Sequence, residues 1–166
     1  MTGAERPPDI ASIVRTLGFH RVEFVVIGAL AGLLRGIPLP RTLDVDITPG
    51  PSKENRRRLA EALKDMEATL RLPDPSEIVS IPLDEHTFDN IQSLTLTTKF
   101  GPLDILFKPE GTAGYDDLAL RATIIEDDGV GIPVISVEDL VSSKRAAGRP
   151  KDLEHLLTIE RYLEES

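Results

Sequence analysis

Two aspartates, Asp44 and Asp46, lie in the stretch Leu43-Asp44-Val45-Asp46-Ile47, where apolar and acidic residues alternate strictly. That alternation has the period of a β-strand with one wet and one dry face, so both carboxylates stand on the same side. Side chains two apart on a strand repel one another when both are charged, unless water or a cation lies between them. The pair is therefore either a solvent face or a face that holds a metal. Asp104, in Leu103-Asp104-Ile105-Leu106-Phe107, is of another kind. Its same-face neighbour is Leu106, so it belongs to no clean polar face. Burying an unpaired carboxylate is costly, so Asp104 must be protonated, paired with a base or turned toward a metal. If the two strands are neighbours, three carboxylates converge on one side of a sheet, an oxygen-rich set that hard cations such as Mg²⁺ accept. Two-metal sites of this type carry phosphoryl chemistry.

The elements that would position these residues follow from pattern and punctuation. Ile10 to Leu17 has helical spacing, with Asp9 as N-cap and Gly18 as its end. Val22 to Ile27 is β-branched and apolar enough for a buried strand. Gly28 then opens Gly28-Ala29-Leu30-Ala31-Gly32, a short helix, and Pro38 and Pro40 lead into the acidic strand. A Gly28-Ala29 helix start lets backbone approach a ligand closely and offers N–H groups to phosphates, although the segment fits neither the dinucleotide fingerprint nor the P-loop. Ser52 caps a helix running to about Met66. Ile78 to Asn90 is ambiguous, and its His86 reads as a surface or capping residue because no second histidine stands at metal spacing.

Ser93 to Lys99 alternates Leu and Thr as a strand, and Gly101-Pro102 turns it into the strand that carries Asp104. A second hairpin follows over Arg121 to Ser136. Ser136 and Asp139 cap a helix that ends at Gly148, and a last helix runs from about Lys151 to Leu163. Mixed strands and helices of this kind predict an α/β (α+β) fold, a mixed sheet with helices against it. The expected organisation is one domain over residues 1–166, with a core at about 22–110 and a C-terminal hairpin and helices at about 120–165.

Composition narrows the function classes. The chain has 166 residues, 40% hydrophobic and 28% charged, which reads as globular rather than disordered. It has no cysteine, which removes disulfides, thiolate chemistry and cysteine zinc sites together and fits a reducing cytoplasm. The longest apolar run, Phe24 to Leu34, is far short of the roughly 20 residues that span a bilayer, so no membrane segment is expected. The N-terminal MTGAERPPDI lacks a secretory layout and reads as a short disordered lead-in. A formal charge of −9 argues against nonspecific coating of nucleic acid. Local clusters at Arg56-Arg57-Arg58 and at Lys144, Arg145, Arg149 and Lys151 could still receive phosphates; by pattern alone the first is a solvated helix face and the second a helix end that suits the macrodipole.

The ordered set formed by Gly28-Ala29, Arg41-Thr42, Asp44-Val45-Asp46, Asp104 and the segment from Val137 to Leu156 resembles the signature of the DNA polymerase β-like nucleotidyltransferase superfamily. It is most similar to the small bacterial toxins of type IV toxin–antitoxin pairs, and the likeness spans roughly residues 22 to 160. The resemblance implies an Mg²⁺-dependent (or Mn²⁺-dependent) enzyme that moves a nucleoside monophosphate from an NTP to an acceptor hydroxyl. In that reading Asp44, Asp46 and Asp104 are metal ligands and catalytic. Lys144 grips the triphosphate, Asp152 follows as an acid of the site, and Gly28, Ala29, Arg41, Thr42 and Arg145 contact the nucleotide. Asp152 is equally an ordinary first-turn acid of the last helix. Ala29 stands where many members carry Gly or Ser, which leaves only its backbone N–H for phosphate. The implied acceptor is RNA, the 3′ end of tRNA, and the implied partner is a cognate antitoxin. Alternatives are the same chemistry on a protein or an aminoglycoside-like small molecule, or an inactive fold that serves as a binding partner.

Overall fold

The computed structural model describes residues 7–166. The expected lead-in lies outside them up to residue 6, but its end is tied down: the Asp9 N–H donates to the Phe100 carbonyl at 2.8 Å. Asp9 also caps helix α1 (Ile10–Phe19), its carboxylate accepting from the Ser12 N–H, and the helix runs through Gly18 to a cap at His20.

Strand β1 (Phe24–Ile27) leads directly into α2 (Gly28–Leu34) and then β2 (Val45–Pro49). All four residues of β1 are buried, as expected of a strand covered on both faces. Strand β2 starts later than the alternation suggests, so Asp44 sits at its entrance and Asp46 within it. Ser52 caps α3 (Lys53–Asp65), as its position implied. The two-residue strand β3 (Thr69–Leu70) carries no readable sequence signal, and the stretch from 71 to 92 is mostly turns with one bridge, Leu70 to Val79. Strands β4 (Ser93–Thr98) and β5 (Gly101–Leu106) form the expected hairpin, with Gly101 already in the second strand.

Helix α4 (Tyr115–Arg121) was not legible in the sequence: its N-cap is Gly114, with φ 92° and no side-chain cap. Strands β6 (Thr123–Asp127) and β7 (Val130–Val134) form the second hairpin, followed by α5 (Val137–Ala147) and α6 (Pro150–Glu165). Gly148 ends α5 in the left-handed region, and Pro150, placed by the sequence among the residues between the two helices, occupies the first turn of α6 instead. Proline is favoured there because its missing N–H has no helical partner to lose.

The strands make one sheet in the order β3-β4-β5-β2-β1-β7-β6. Its centre is parallel where β2 meets β5 and β1 meets β7, and the remaining pairs are antiparallel. Helices α1 and α3 pack on each other and reach β7 and β2, while α2 lies on β1 and β2 and meets α5, which carries α6. Val45, Ile47, Leu103 and Ile105 are fully buried. Each contributes about 1.5–3 kcal/mol by leaving water. That apolar frame is what lets the same two strands hold acidic residues between them. Among the described residues, no helix is long and apolar enough to cross a membrane.

Candidate active site

Parallel pairing places Asp46 directly beside Asp104. Opposed residues in a sheet share a face, so the neighbour condition set by the sequence is met and the carboxylates of Asp44, Asp46 and Asp104 gather at one place. The face is not open solvent. Asp46 Oδ1 is buried without a hydrogen-bond partner. Burial, with the Asp104 and then the Asp44 carboxylate beside it, pushes the Asp46 carboxyl up to about 7. Burial also raises Asp104, against the pull of the Arg71 guanidinium.

The close approach at Gly28 fixes this geometry. Gly28 has φ +73°, and a Cβ built on it would stand 2.5 Å from Asp46 Oδ2. Only glycine satisfies both the left-handed backbone and the contact. Gly28→Ala is expected to cost about 1–3 kcal/mol of folding stability, read as a shift of the urea midpoint, and to displace the Asp46 carboxylate enough to impair the site.

A cleft of about 320 Å³ opens over Gly28, Asp44 and Asp46, while Asp104, beside Asp46 in the sheet, is not among its lining residues. One wall carries Gly28, Ala29, Thr42, Asp44 and Asp46; the other carries Lys144, Arg149, Lys151, Asp152 and His155 from α5 and α6. Lys144 is buried although it is a lysine, and burial lowers its pKa, with the Asp152 charge working the other way. Its Nζ lies 3.0 Å from His155 Nδ1 and 3.7 Å from Asp152 Oδ1. Burial first and the Lys144 charge second hold His155 below the usual imidazole range, and the Lys144 ammonium donates a hydrogen bond to its Nδ1. Asp152 has two sets of contacts. It is a first-turn acid that accepts from the Arg149 N–H and Nε, and it faces Lys144 across the α5–α6 junction. Burial would raise its carboxyl, but the Arg149 hydrogen bond and charge prevail and lower it.

Other expected residues lie elsewhere. Arg145 turns outward to Glu160 at 3.2 Å and does not line the cleft, and neither does the exposed Arg41. Arg149 and Lys151, read by pattern as part of a basic helix end that could receive phosphates, line the cleft itself. In the cluster read as a solvated face, Arg57 and Arg58 pair with Glu54, while Arg56 is partly buried over the Phe107 ring and 3.6 Å from Asp89. His86 is exposed beside Glu85 and Asp89, as its isolation suggested. Sequence reasoning missed two residues of the site. His155 was findable, since its i+3 spacing from Asp152 puts both on one helix face. Arg71 was not, because a sheet pairing distant in sequence brings it to Asp104.

The donor chemistry suits a hard divalent cation at Asp44 and Asp46: carboxylate oxygens, one of them buried and unpartnered. It is less simple at Asp104, whose carboxylate is paired with Arg71. Among the described residues, no group of three or more Asp, Glu, His or Cys side chains is arranged to hold a metal.

No protein-family model matches the chain, and no curated protein matches it. Solved structures do. A candidate nucleotidyltransferase from Thermotoga maritima is 21% identical with a TM-score of 0.54, over 95% of this chain and 91% of that one. The lincosamide antibiotic adenylyltransferase LnuA, in its lincomycin-bound form, is 15% identical with a TM-score of 0.60, over 91% of this chain and 94% of that one. The antibiotic-resistance factor ANT(2'')-Ia is 14% identical with a TM-score of 0.57, over 93% and 82%. At such identities the likeness is one of architecture, and the chain has the nucleotidyltransferase fold, the mixed sheet with flanking helices expected from its sequence.

Proposed function

We propose that this protein transfers a nucleoside monophosphate from an NTP to an acceptor hydroxyl, with pyrophosphate leaving. The observation that carries the proposal is the opposition, across one cleft, of the Gly28 turn with Asp44 and Asp46 on one wall and the buried Lys144 on the other. Asp44 and Asp46 would hold a divalent cation, Mg²⁺ or Mn²⁺, which supplies charge neutralisation for the phosphate oxygens and the leaving group. Lys144 binds the triphosphate as a compact point charge, held in place by His155 and Asp152. Gly28 and Ala29 line the same cleft, and Thr42 lines it with Asp44. Asp104 accepts the proton of the acceptor hydroxyl as its oxygen attacks the α-phosphorus and the bond to pyrophosphate breaks. Its raised pKa supports that role, because a carboxylate of ordinary acidity is a poor base near neutral pH.

The resemblance to the toxin branch favours RNA as the acceptor, at the 3′ end of tRNA, and a cognate antitoxin as partner. A small-molecule hydroxyl is the second reading, and two observations favour it. LnuA is an antibiotic adenylyltransferase. In addition, several basic residues of the two clusters are paired with carboxylates: Arg57 and Arg58 with Glu54, Arg56 with Asp89 and Arg149 with Asp152. Incubation with each α-labelled NTP, Mg²⁺ and either total RNA or whole lysate separates the two. Under the RNA reading, label enters RNA in proportion to free 3′ ends and falls with salt at a slope on the order of −0.7 per phosphate contact. Label confined to a metabolite selects the second reading. Label in no fraction, with any of the four NTPs, removes the transferase assignment.

A further inference from the structure

A guanidinium of the chain itself reaches the carboxylate group from the β3 edge of the sheet. Arg71 follows β3, and its N–H donates to the Thr95 carbonyl at 3.0 Å. Thr95 pairs with Asp104 and Asp104 with Asp46, so Arg71, just past the end of β3, stands in line with a row across β4, β5 and β2. The guanidinium reaches along that row. Its Nη2 donates to Asp104 Oδ1, and its Nη1 stands 3.9 Å from Asp44 Oδ1 and donates to the Leu96 carbonyl at 3.1 Å.

Resting on the nucleotidyltransfer reading, we propose that Arg71 is a positioning residue that takes the place of a second divalent ion between Asp44 and Asp104. The site then works with one divalent ion, on Asp44 and Asp46. Three features of the arrangement support this. The guanidinium is anchored by a backbone carbonyl as well as by the carboxylates, so its place does not depend on the acids alone. Asp44 and Asp104 both face the guanidinium, so a positive charge already stands between these two carboxylates. Asp104 is withdrawn from metal binding by its pairing with Arg71 while the unpartnered oxygen lies on Asp46, so the donors left for an ion are on the Asp44–Asp46 side. The charge is what excludes the second ion, and the fork of the arginine holds it in place, its separate nitrogens serving Asp104 and Leu96 at once. Arg71 thereby sets the direction in which the Asp104 carboxylate points for proton acceptance.

Mn²⁺ is the probe that counts ions without requiring turnover. The full chain, titrated with Mn²⁺ and followed by equilibrium dialysis and electron paramagnetic resonance, is expected to bind one ion per chain with the spectrum of an isolated Mn²⁺. Arg71→Met keeps the aliphatic stem and removes the charge. It is expected to take up a second Mn²⁺ at least tenfold more tightly than the wild type does, with the broadened spectrum of a spin-coupled pair about 4 Å apart. Arg71→Lys keeps the charge without the fork and is expected to hold the count at one. Two ions bound by the wild type, or one ion still bound by a folded Arg71→Met, would overturn the proposal. The wild-type count decides the matter even if a variant fails to fold. Failure of the underlying reading has a different signature, the absence of label from every acceptor fraction.

Discussion

Asp46→Asn is expected to abolish nucleotidyl transfer, by at least 10³-fold in kcat/KM, and at the same time to make the metal-free protein more stable above neutral pH. The loss follows from removing a carboxylate that would hold the divalent ion at the reacting phosphate, a contribution of several kcal/mol at the transition state. The gain follows from linkage. Burial beside two other carboxylates raises the Asp46 carboxyl from 3.8 to about 7 in the folded chain. Below 3.8 the group is protonated folded and unfolded, and it exerts no drag. Between 3.8 and 7 the folded form alone holds the proton, so stability falls as pH rises; above 7 the loss is complete. A shift of that size corresponds to on the order of 4 kcal/mol. Thermal or urea unfolding in EDTA should therefore show wild type losing stability from pH 4 to pH 8 and Asp46→Asn losing less. Adding Mg²⁺ at pH 8 should restore the wild type and leave the variant where it was. A wild-type profile that is flat over that range, or a variant with unimpaired transfer, would remove the role assigned to Asp46.

This coupling of function to instability explains which parts of the site could be read in advance. Asp44 and Asp46 break the apolar rhythm of their neighbours in a regular way, and Asp104 breaks it in an irregular way, so all three are conspicuous in one dimension. Caps are equally local: Asp9, Ser52 and Ser136 each announce a helix through a side chain that accepts from a nearby N–H. Helix α4 has no such side chain, and β3 is too short for a period to show. The Arg145 assignment went astray for a geometric reason. Adjacent residues on a helix point about 100° apart, so the burial of Lys144 against α6 turns Arg145 to solvent and Glu160. Arg71 illustrates the opposite limit. Its approach to Asp104 depends on two strand registers and a backbone carbonyl, none of which is encoded near residue 71.

Lys144→Met is expected to raise the Kd for NTP by 10-fold to 100-fold and to lower kcat/KM further, while leaving the Mn²⁺ count unchanged. The lysine is buried between α5 and α6 with its ammonium on His155 and near Asp152, so methionine fills the same volume without leaving a cavity. Asp152 keeps its Arg149 partner and His155 is neutral, so removal of the ammonium strands no buried charge. The deficit should then appear in nucleotide binding and not in folding. One charged hydrogen bond to phosphate, worth about 1.5–3 kcal/mol, accounts for the range. The pH dependence gives an independent check. Burial lowers the Lys144 pKa, so its charge, and with it NTP affinity, should fade at a lower pH than for an exposed lysine. Lys144→Arg should keep its affinity through that alkaline range, though below the wild-type value at neutral pH, because the planar fork does not fit a pocket built around a point charge facing His155. NTP affinity equal in wild type and Lys144→Met, measured by calorimetry at neutral pH, would place the triphosphate elsewhere on the cleft wall, at Arg149 and Lys151, which line it beside Lys144.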